Sequence, residues 1–390
     1  MAKNWTLKYG SASVIAAIAI ICISLLTNIQ IPQGRKDAYA SFTVMLTDPP
    51  VVPDGTTVLN LTYSDILLHV TYPNGSVEWQ TVDALGTVNL FSLINMSQTL
   101  ASTSLPTNST VDKIQFTIAN VDAVVNGVTF NVTVMSNTLV INIANGQVNG
   151  TSGVLLDFNP TLVQIQATDA NGTLVDYYVL VPSAKAVIVT GLSDDQLKVG
   201  TIVKIGENNR VRLTRVEEQF KKNVTIVSAS LLVNNNVTSL SVTLKNDGDY
   251  AFKVFGLTLT GEFNATRTWQ RTTWEKHRHG GEHEWQGMYK VTAEMIHPRT
   301  IPFKVEGSSL TPLFGTDREH EDEHGDGVFS ALPLQPGESV TLTFDGVVGL
   351  LPERDNTFNP AMVITPIVDG NYTLRLMGEG FQTFDVAASS

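Results

Sequence analysis

Between Thr316 and Gly327 the chain reads TDREHEDEHGDG, and His320-Glu321-Asp322-Glu323-His324 within it has the spacing H-E-x-x-H. On a helix that spacing puts two imidazoles one turn apart to hold zinc, with the glutamate placed to activate a metal-bound water. The chemistry needs a helix whose inner face packs into a core. Here six of the ten residues from Asp317 to Asp326 are acids, and both x positions are acidic. A stretch so charged cannot form the back wall of a core, so it reads as a solvated loop, and no catalytic activity is expected from it. Metal binding without catalysis is a separate matter. Six of the seven histidines fall between His277 and His324. HRHGGEHE supplies His277, His279 and His283, the second stretch supplies His320 and His324, and Glu282, Glu284, Glu319 and Glu321 are adjacent carboxylates, Glu321 being the one taken as a candidate ligand. Imidazole suits copper, zinc or nickel, and surrounding carboxylates raise the local cation concentration. No cofactor is required by any other motif: the chain has no nucleophile elbow, phosphate loop or dinucleotide fingerprint.

The two histidine loops, at 275–284 and 317–326, need something to position them. From residue 41 onward the dominant hydrophobic period is two, in runs such as VLNLTYSDILLHVTYP, DKIQFTIANVDAVV and SLSVTLKNDGDYAFKVFGLTLTGEF, broken by turns such as PNG, ANG and NDGD. Alternation of Val, Thr and Ile between Gly/Asn turns marks short half-buried strands, so an all-β fold is expected, with two β-sandwich domains in tandem. The divisions read as 1–40 for an N-terminal hydrophobic helix acting as signal peptide or membrane anchor, 41–190 for the first sandwich, 191–225 for a connector, and 226–390 for the second sandwich with the histidine loops. Helical signal is weak after residue 40; SDDQLKVG and RVRLTRVEEQFKKN are each expected to give a turn or two. Pro336-Gly337 is read as a turn and DGNYTLRLMGEGFQTFDV as a closing hairpin.

The N-terminus assigns the compartment. Lys3 and Lys8 precede an apolar run from Ala12 to Leu26, which is the pattern of an export signal. Residues 10–29 together reach spanning length and would anchor the protein to the membrane, while Ala38-Tyr39-Ala40 offers a cleavage site that would release it. Cleavage after Ala40 would free SFTVMLT as an apolar strand able to pair with a neighbouring subunit's sheet edge, making the protein a subunit of an extracellular filament. Cys22, the only cysteine, lies inside the apolar run, so the exported part is free of disulfides. Eleven N-x-[S/T] acceptors follow, at Asn60, Asn74, Asn95, Asn108, Asn131, Asn149, Asn171, Asn223, Asn236, Asn264 and Asn371. That is about twice what the composition would place by chance. Net charge is −12 with only 16% charged residues and no basic stripe, which excludes nucleic acid as a partner and disfavours docking on anionic lipid.

Residues 41 to about 160 resemble the domain of unknown function 4382 family, a secreted or surface-attached β-sandwich module of bacteria and archaea. The resemblance is carried by Leu46-Thr47-Asp48-Pro49-Pro50, by Trp79 in VEWQTV, and by TVNLFSL, STVDKIQFTI and GVLLDFNP; Asn89, Val111 and Gln115 depart from the family's pattern. It implies fold and location and no chemistry. The C-terminal half resembles immunoglobulin-like surface modules through VTLKNDGDYAFKVFGLTL and LQPGESVTLTFDG. Asp48 and Asp157, at strand ends, are read as turn caps and not as calcium ligands, because no carboxylate ladder accompanies them. The expectation is an exported, glycosylated cell-surface structural or adhesion protein, archaeal by its sugar acceptors and lack of disulfides, meeting other cell-envelope proteins or glycans. A surface metal-binding or sensing protein built on the histidine loops is the second reading.

Overall fold

A computed structural model describes residues 39–47, 50–144, 146–168, 174–234, 237–274, 285–313, 331–350 and 362–390. The apolar segment at 10–29, Asp48, the sequons Asn171 and Asn236, and both histidine loops lie outside these. Among the described residues no helix is long and apolar enough to cross a membrane.

Period-two patterning becomes strand almost throughout. The first half contributes β1 (Tyr39–Thr47), β2 (Thr56–Thr71), β3 (Val77–Asn89), β4 (Met96–Pro106), β5 (Thr110–Val125), β6 (Val128–Asn131), β7 (Thr133–Val134), β8 (Thr138–Ala144), β9 (Ser152–Phe158), β10 (Thr161–Thr168), β11 (Leu174–Val181), β12 (Ala184–Thr190) and β13 (Ile202–Lys204). Helix α1 (Glu207–Asn223) follows. The second half contributes β14 (Val224–Asn234), β15 (Val237–Asn246), β16 (Phe252–Trp274), β17 (Trp285–Glu306), β18 (Ser309–Pro312), β19 (Leu332–Leu334), β20 (Ser339–Gly346), β21 (Val348–Leu350), β22 (Met362–Pro366), β23 (Asn371–Gly378) and β24 (Phe381–Ser389). The turns fall where Gly and Asn allow them: Gly75 at φ +84° between β2 and β3, and Gly337 at φ +74° before β20.

In the first half the strands run in the order β13-β4-β1-β9-β12-β8-β5-β2-β3, with β6 on β5. In the second half the order is β17-β18-β20-β15-β14-β24-β23-β16-β22-β21, and β16 also pairs with β17, so the hydrogen-bonded path closes on itself. The strand content expected of an immunoglobulin-like unit is there, but the path is closed and not two separate facing sheets. Closure leaves fewer unpaired edges.

Three expectations are corrected. The strand carrying SFTVMLT is not free: β1 lies between β4 and β9, parallel to β9 from Phe42↔Ser152 to Thr47↔Asp157. Phe42 is fully buried. A filament built by that strand would first have to take apart its own sheet. Second, the expected turn or two near residue 210 is a helix of 17 residues. Leu213 packs with Met45, Leu155, Val187, Val189, Leu192 and Ile205 against the outside of the first sheet. One end of the helix inserts Phe220 into the core of the second half. Third, residues 191–225 are more than a connector, since β13 pairs with β4 in the first sheet.

The two cores share a wall. β10 and β11 form a hairpin in a separate three-stranded sheet with β7, and its alternation serves both sides. Leu162, Tyr178 and Leu180 pack into the first core, while Val163, Ile165, Val179 and Val181 pack into the second. Residues 40–390 accordingly form one compact unit.

Candidate functional site

β9 and β12 are covered on both faces, so every residue of β9 is buried and all of β12 except Thr190. One set of alternating side chains, Val154, Leu156, Phe158, Ala184, Ala186 and Ile188, faces the first core. The other set, including Leu155, Val187 and Val189, faces α1. Asp157 and Lys185 belong by parity to this second set, and they stand opposite each other in the antiparallel register. Lys185 Nζ lies 2.9 Å from Asp157 Oδ2. Helix α1 brings Glu217 above the pair, with Oε2 3.3 Å from the same nitrogen. Lys221, one turn further along the helix, holds the other Glu217 oxygen at 2.6 Å.

The electrostatics follow from this packing. Burial works against the Lys185 ammonium, but Asp157 and Glu217 outweigh it and hold its pKa above the ordinary lysine value. Burial also pushes Glu217 up, and Lys221 and Lys185 overcome it, leaving that carboxyl below its usual range. Beside the cluster is a cavity of about 220 Å³, walled by Thr47, Ile94, Asn95, Ile205, Arg210, Leu213 and Thr214 together with the three charged residues. Arg210 Nη2 donates to the Asn95 carbonyl at 3.4 Å. Two polar atoms at this cavity are buried without hydrogen-bond partners, Asp157 Oδ1 and Arg210 Nε. The reading of Asp157 as a turn cap is therefore corrected: its side chain pairs across strands.

Sequence reasoning missed this cluster, although a signal was there. Asp157 and Lys185 each stand as a single charge in an otherwise apolar run, GVLLDF and AKAVIV, and a charge in a strand covered on both faces must find a partner. A second missed pair is on β2 and β5. His69, the one histidine outside the sequence cluster, places Nδ1 2.5 Å from Asp112 Oδ1. Its ring packs on Trp79 with centroids 4.9 Å apart. Asp112 reaches it because the β2–β5 register shifts between His69 and Val70.

A buried carboxyl group joins the two halves. Glu379, between β23 and β24 in Gly378-Glu379-Gly380, is buried. Its Oε1 accepts from Asn142 Nδ2 of β8 at 3.3 Å. Nearby, Ser183 Oγ donates to the Gly378 carbonyl at 2.7 Å. Burial raises the Glu379 pKa from 4.5 to about 8, against the opposing pull of Lys253 and the Asn142 hydrogen bond.

Of the sequence-predicted metal ligands, His277, His279, His283, His320, Glu321 and His324 all lie outside the described residues, so their convergence stays an expectation. The flanking strands are as expected: 275–284 connects β16 to β17, which pair from Gly256↔Lys304 out to Trp274↔Trp285. Among the described residues no group of three or more His, Cys, Asp or Glu side chains is placed to hold a metal ion. The nine described sequon asparagines, Asn60, Asn74, Asn95, Asn108, Asn131, Asn149, Asn223, Asn264 and Asn371, include no buried residue.

No curated protein matches the chain. Among solved structures, the native conformation of E. coli alpha-2-macroglobulin aligns over 91% of this chain and 22% of its own length, at 11% identity and a TM-score of 0.14, which is too loose to bear on the fold. The resemblance read from Leu46–Pro50, TVNLFSL and GVLLDFNP holds and reaches beyond residue 160 through the shared hairpin: residues 39–182 match the family described as Domain of unknown function (DUF4382).

Proposed function

We propose that this protein is an exported, N-glycosylated structural or adhesion component of an archaeal-type cell surface, without catalytic activity. In this reading residues 10–29 hold it at the extracellular face of the membrane, or cleavage near Ala40 releases it. Its partners are other envelope proteins or glycans. The observation that carries the reading is the placement of the sugar acceptors. Seven of the nine described sequon asparagines are exposed and two are half-buried. Asn74 occupies a hairpin turn where its Oδ1 accepts from Ser76 N at 2.9 Å, and Asn95 and Asn108 adopt the left-handed conformation of tight turns. A chain carrying that many accessible acceptors, in strands held by packing and not by disulfides, suits a hydrated surface layer. Glycopeptide mapping of protein taken from its own cell envelope should find sugar on most exposed acceptors, including Asn74 and Asn371. Eleven unmodified asparagines would remove the support for an exported glycoprotein.

The histidine clustering favours a second reading, a surface protein that binds copper, zinc or nickel through His277, His279, His283, His320 and His324 with Glu321. Binding by ligands drawn from two separate segments should be micromolar or weaker, because bringing five side chains into one geometry offsets part of the ligation energy, and it should weaken as pH falls through ~6–7, where protons compete for imidazole. Titration calorimetry with zinc should show heat that is lost when the five histidines are replaced by alanine. Equal heats from both proteins would dismiss this reading.

A further inference from the structure

The Asp157–Lys185–Glu217 cluster contains more than a buried ion pair needs. Lys185 and Asp157 stand directly opposite on antiparallel strands, with Nζ 2.9 Å from Oδ2 and side chains only 7% and 11% exposed. Glu217, whose other oxygen is held by Lys221 at 2.6 Å, brings a second carboxylate to 3.3 Å from the Lys185 nitrogen from a different element. Asp157 Oδ1, moreover, is buried without a hydrogen-bond partner, which is uncommon in a purely structural ion pair. A buried primary amine, a buried carboxyl group and, 23% exposed beside them, a second carboxylate able to carry protons are the components of amide condensation. We propose that Lys185 and Asp157 condense to an intramolecular isopeptide bond, with Glu217 as the proton carrier.

The step balances within the cluster. It begins from the Lys185 ammonium and the Asp157 carboxylate. Glu217 accepts one proton from Nζ, and the freed lone pair attacks Asp157 Cγ. One C–O bond of the carboxyl breaks, and the oxygen leaves as water, taking the proton returned by Glu217 and a second from Nζ. The products are a neutral secondary amide and one water; nothing is oxidised or reduced, and Glu217 ends as a carboxylate. The ammonium is the favoured resting form, so the reaction is slow, but it need run only once in the life of each molecule. Two effects carry it forward. Groups held in register react with effective molarities of about 10⁵–10⁸ M, and condensation removes two charges whose desolvation opposes their burial. The bond would tie β9 to β12 covalently in a chain whose single cysteine, Cys22, lies in the N-terminal apolar run, a role disulfides fill elsewhere.

The test is a digest of the full chain, expressed in a host without N-glycosylation and shown by circular dichroism to unfold cooperatively. A branched peptide is expected that joins the segments around Asp157 and Lys185 and is lighter than their sum by one water. Lys185→Arg, which keeps the charge and lacks a nucleophilic amine, should yield only the linear peptides. Glu217→Gln should reduce the branched product at least tenfold at equal folding time. A folded wild-type chain giving only linear peptides of full mass overturns the proposal, and that result is decisive even if both variants fail to fold. Undiminished branching in Glu217→Gln would overturn the role given to Glu217.

Discussion

Wild-type protein should lose stability as pH rises from about 5 to about 9, and Glu379→Gln should abolish most of that loss. In the folded state this carboxyl titrates at about 8, against 4.5 for the unperturbed group. Below 4.5 both states hold the proton and the group adds no pH dependence. Between 4.5 and about 8 the folded state keeps a proton that the unfolded chain has released. The folded state then binds more protons, so stability falls with rising pH. Above about 8 the folded carboxyl ionises where it is buried against Asn142, and the loss is complete. At ~1.4 kcal/mol for each pKa unit, the total is about 3–5 kcal/mol. Lys253, whose own pKa burial lowers, is the cation that moderates the effect. Glutamine has the same shape, can accept from Asn142 Nδ2 and does not ionise in this range. Chemical denaturation across the pH series would decide the matter: parallel curves for wild type and Glu379→Gln would show that Glu379 does not govern the joint between the halves.

The second large effect is expected at Phe220. Replacing it with alanine should cost about 3–5 kcal/mol, the range for deleting a fully buried aromatic ring. The ring is fully buried and stands edge-on to Phe252 at 5.7 Å. The turn around Glu379 is moulded to it. A Cβ on Gly378 would meet the ring at 2.7 Å and the Lys253 carbonyl at 2.3 Å, so the backbone passes where only glycine fits. Alanine at 220 therefore removes the anchor of α1 and opens a void beneath Gly378 and Gly380. Val211 on the same helix is 46% exposed, and Val211→Ala should change stability by no more than ~0.5 kcal/mol. Urea unfolding midpoints for the two variants provide the check. A loss below about 1 kcal/mol for Phe220→Ala would mean that α1 is held chiefly by its first turns and its ion pairs.

What could be read from the chain alone is what depends on neighbours in sequence. Side chains alternate across a strand, so Val/Thr/Ile alternation reports β-structure locally, and it did so in β2, β5, β15 and β16. Turn chemistry is equally local: PNG at residues 73–75 and Pro336-Gly337 stand where the chain reverses. GVLLDFNP and TVNLFSL marked the matched family because they are contiguous. Surface placement of the sequons follows from the polarity of asparagine. The expectation that the run around His320 is a solvated loop rests likewise on local composition, six acids in ten residues.

Other features were decided only by packing between distant segments. Leu213, Val216 and Phe220 make a single narrow apolar stripe among charged neighbours, too weak by itself to hold a helix of that length in water. The outer face of the first sheet and the second core stabilise it. Hairpin β10–β11 alternates like any half-solvated strand, yet both its faces are buried because a core lies on each side. Gly378-Glu379-Gly380 has the composition of an exposed turn; its burial comes from β8 and β16 closing over it. Asp157, Lys185 and Glu217 belong to three elements distant in the chain, and no spacing rule joins them. Their meeting depends on the β9–β12 register and on where α1 crosses the sheet. Local periodicity says which face a side chain takes, but the partner across that face is set by long-range strand pairing, in which a slip of one residue would turn Lys185 into the opposite core.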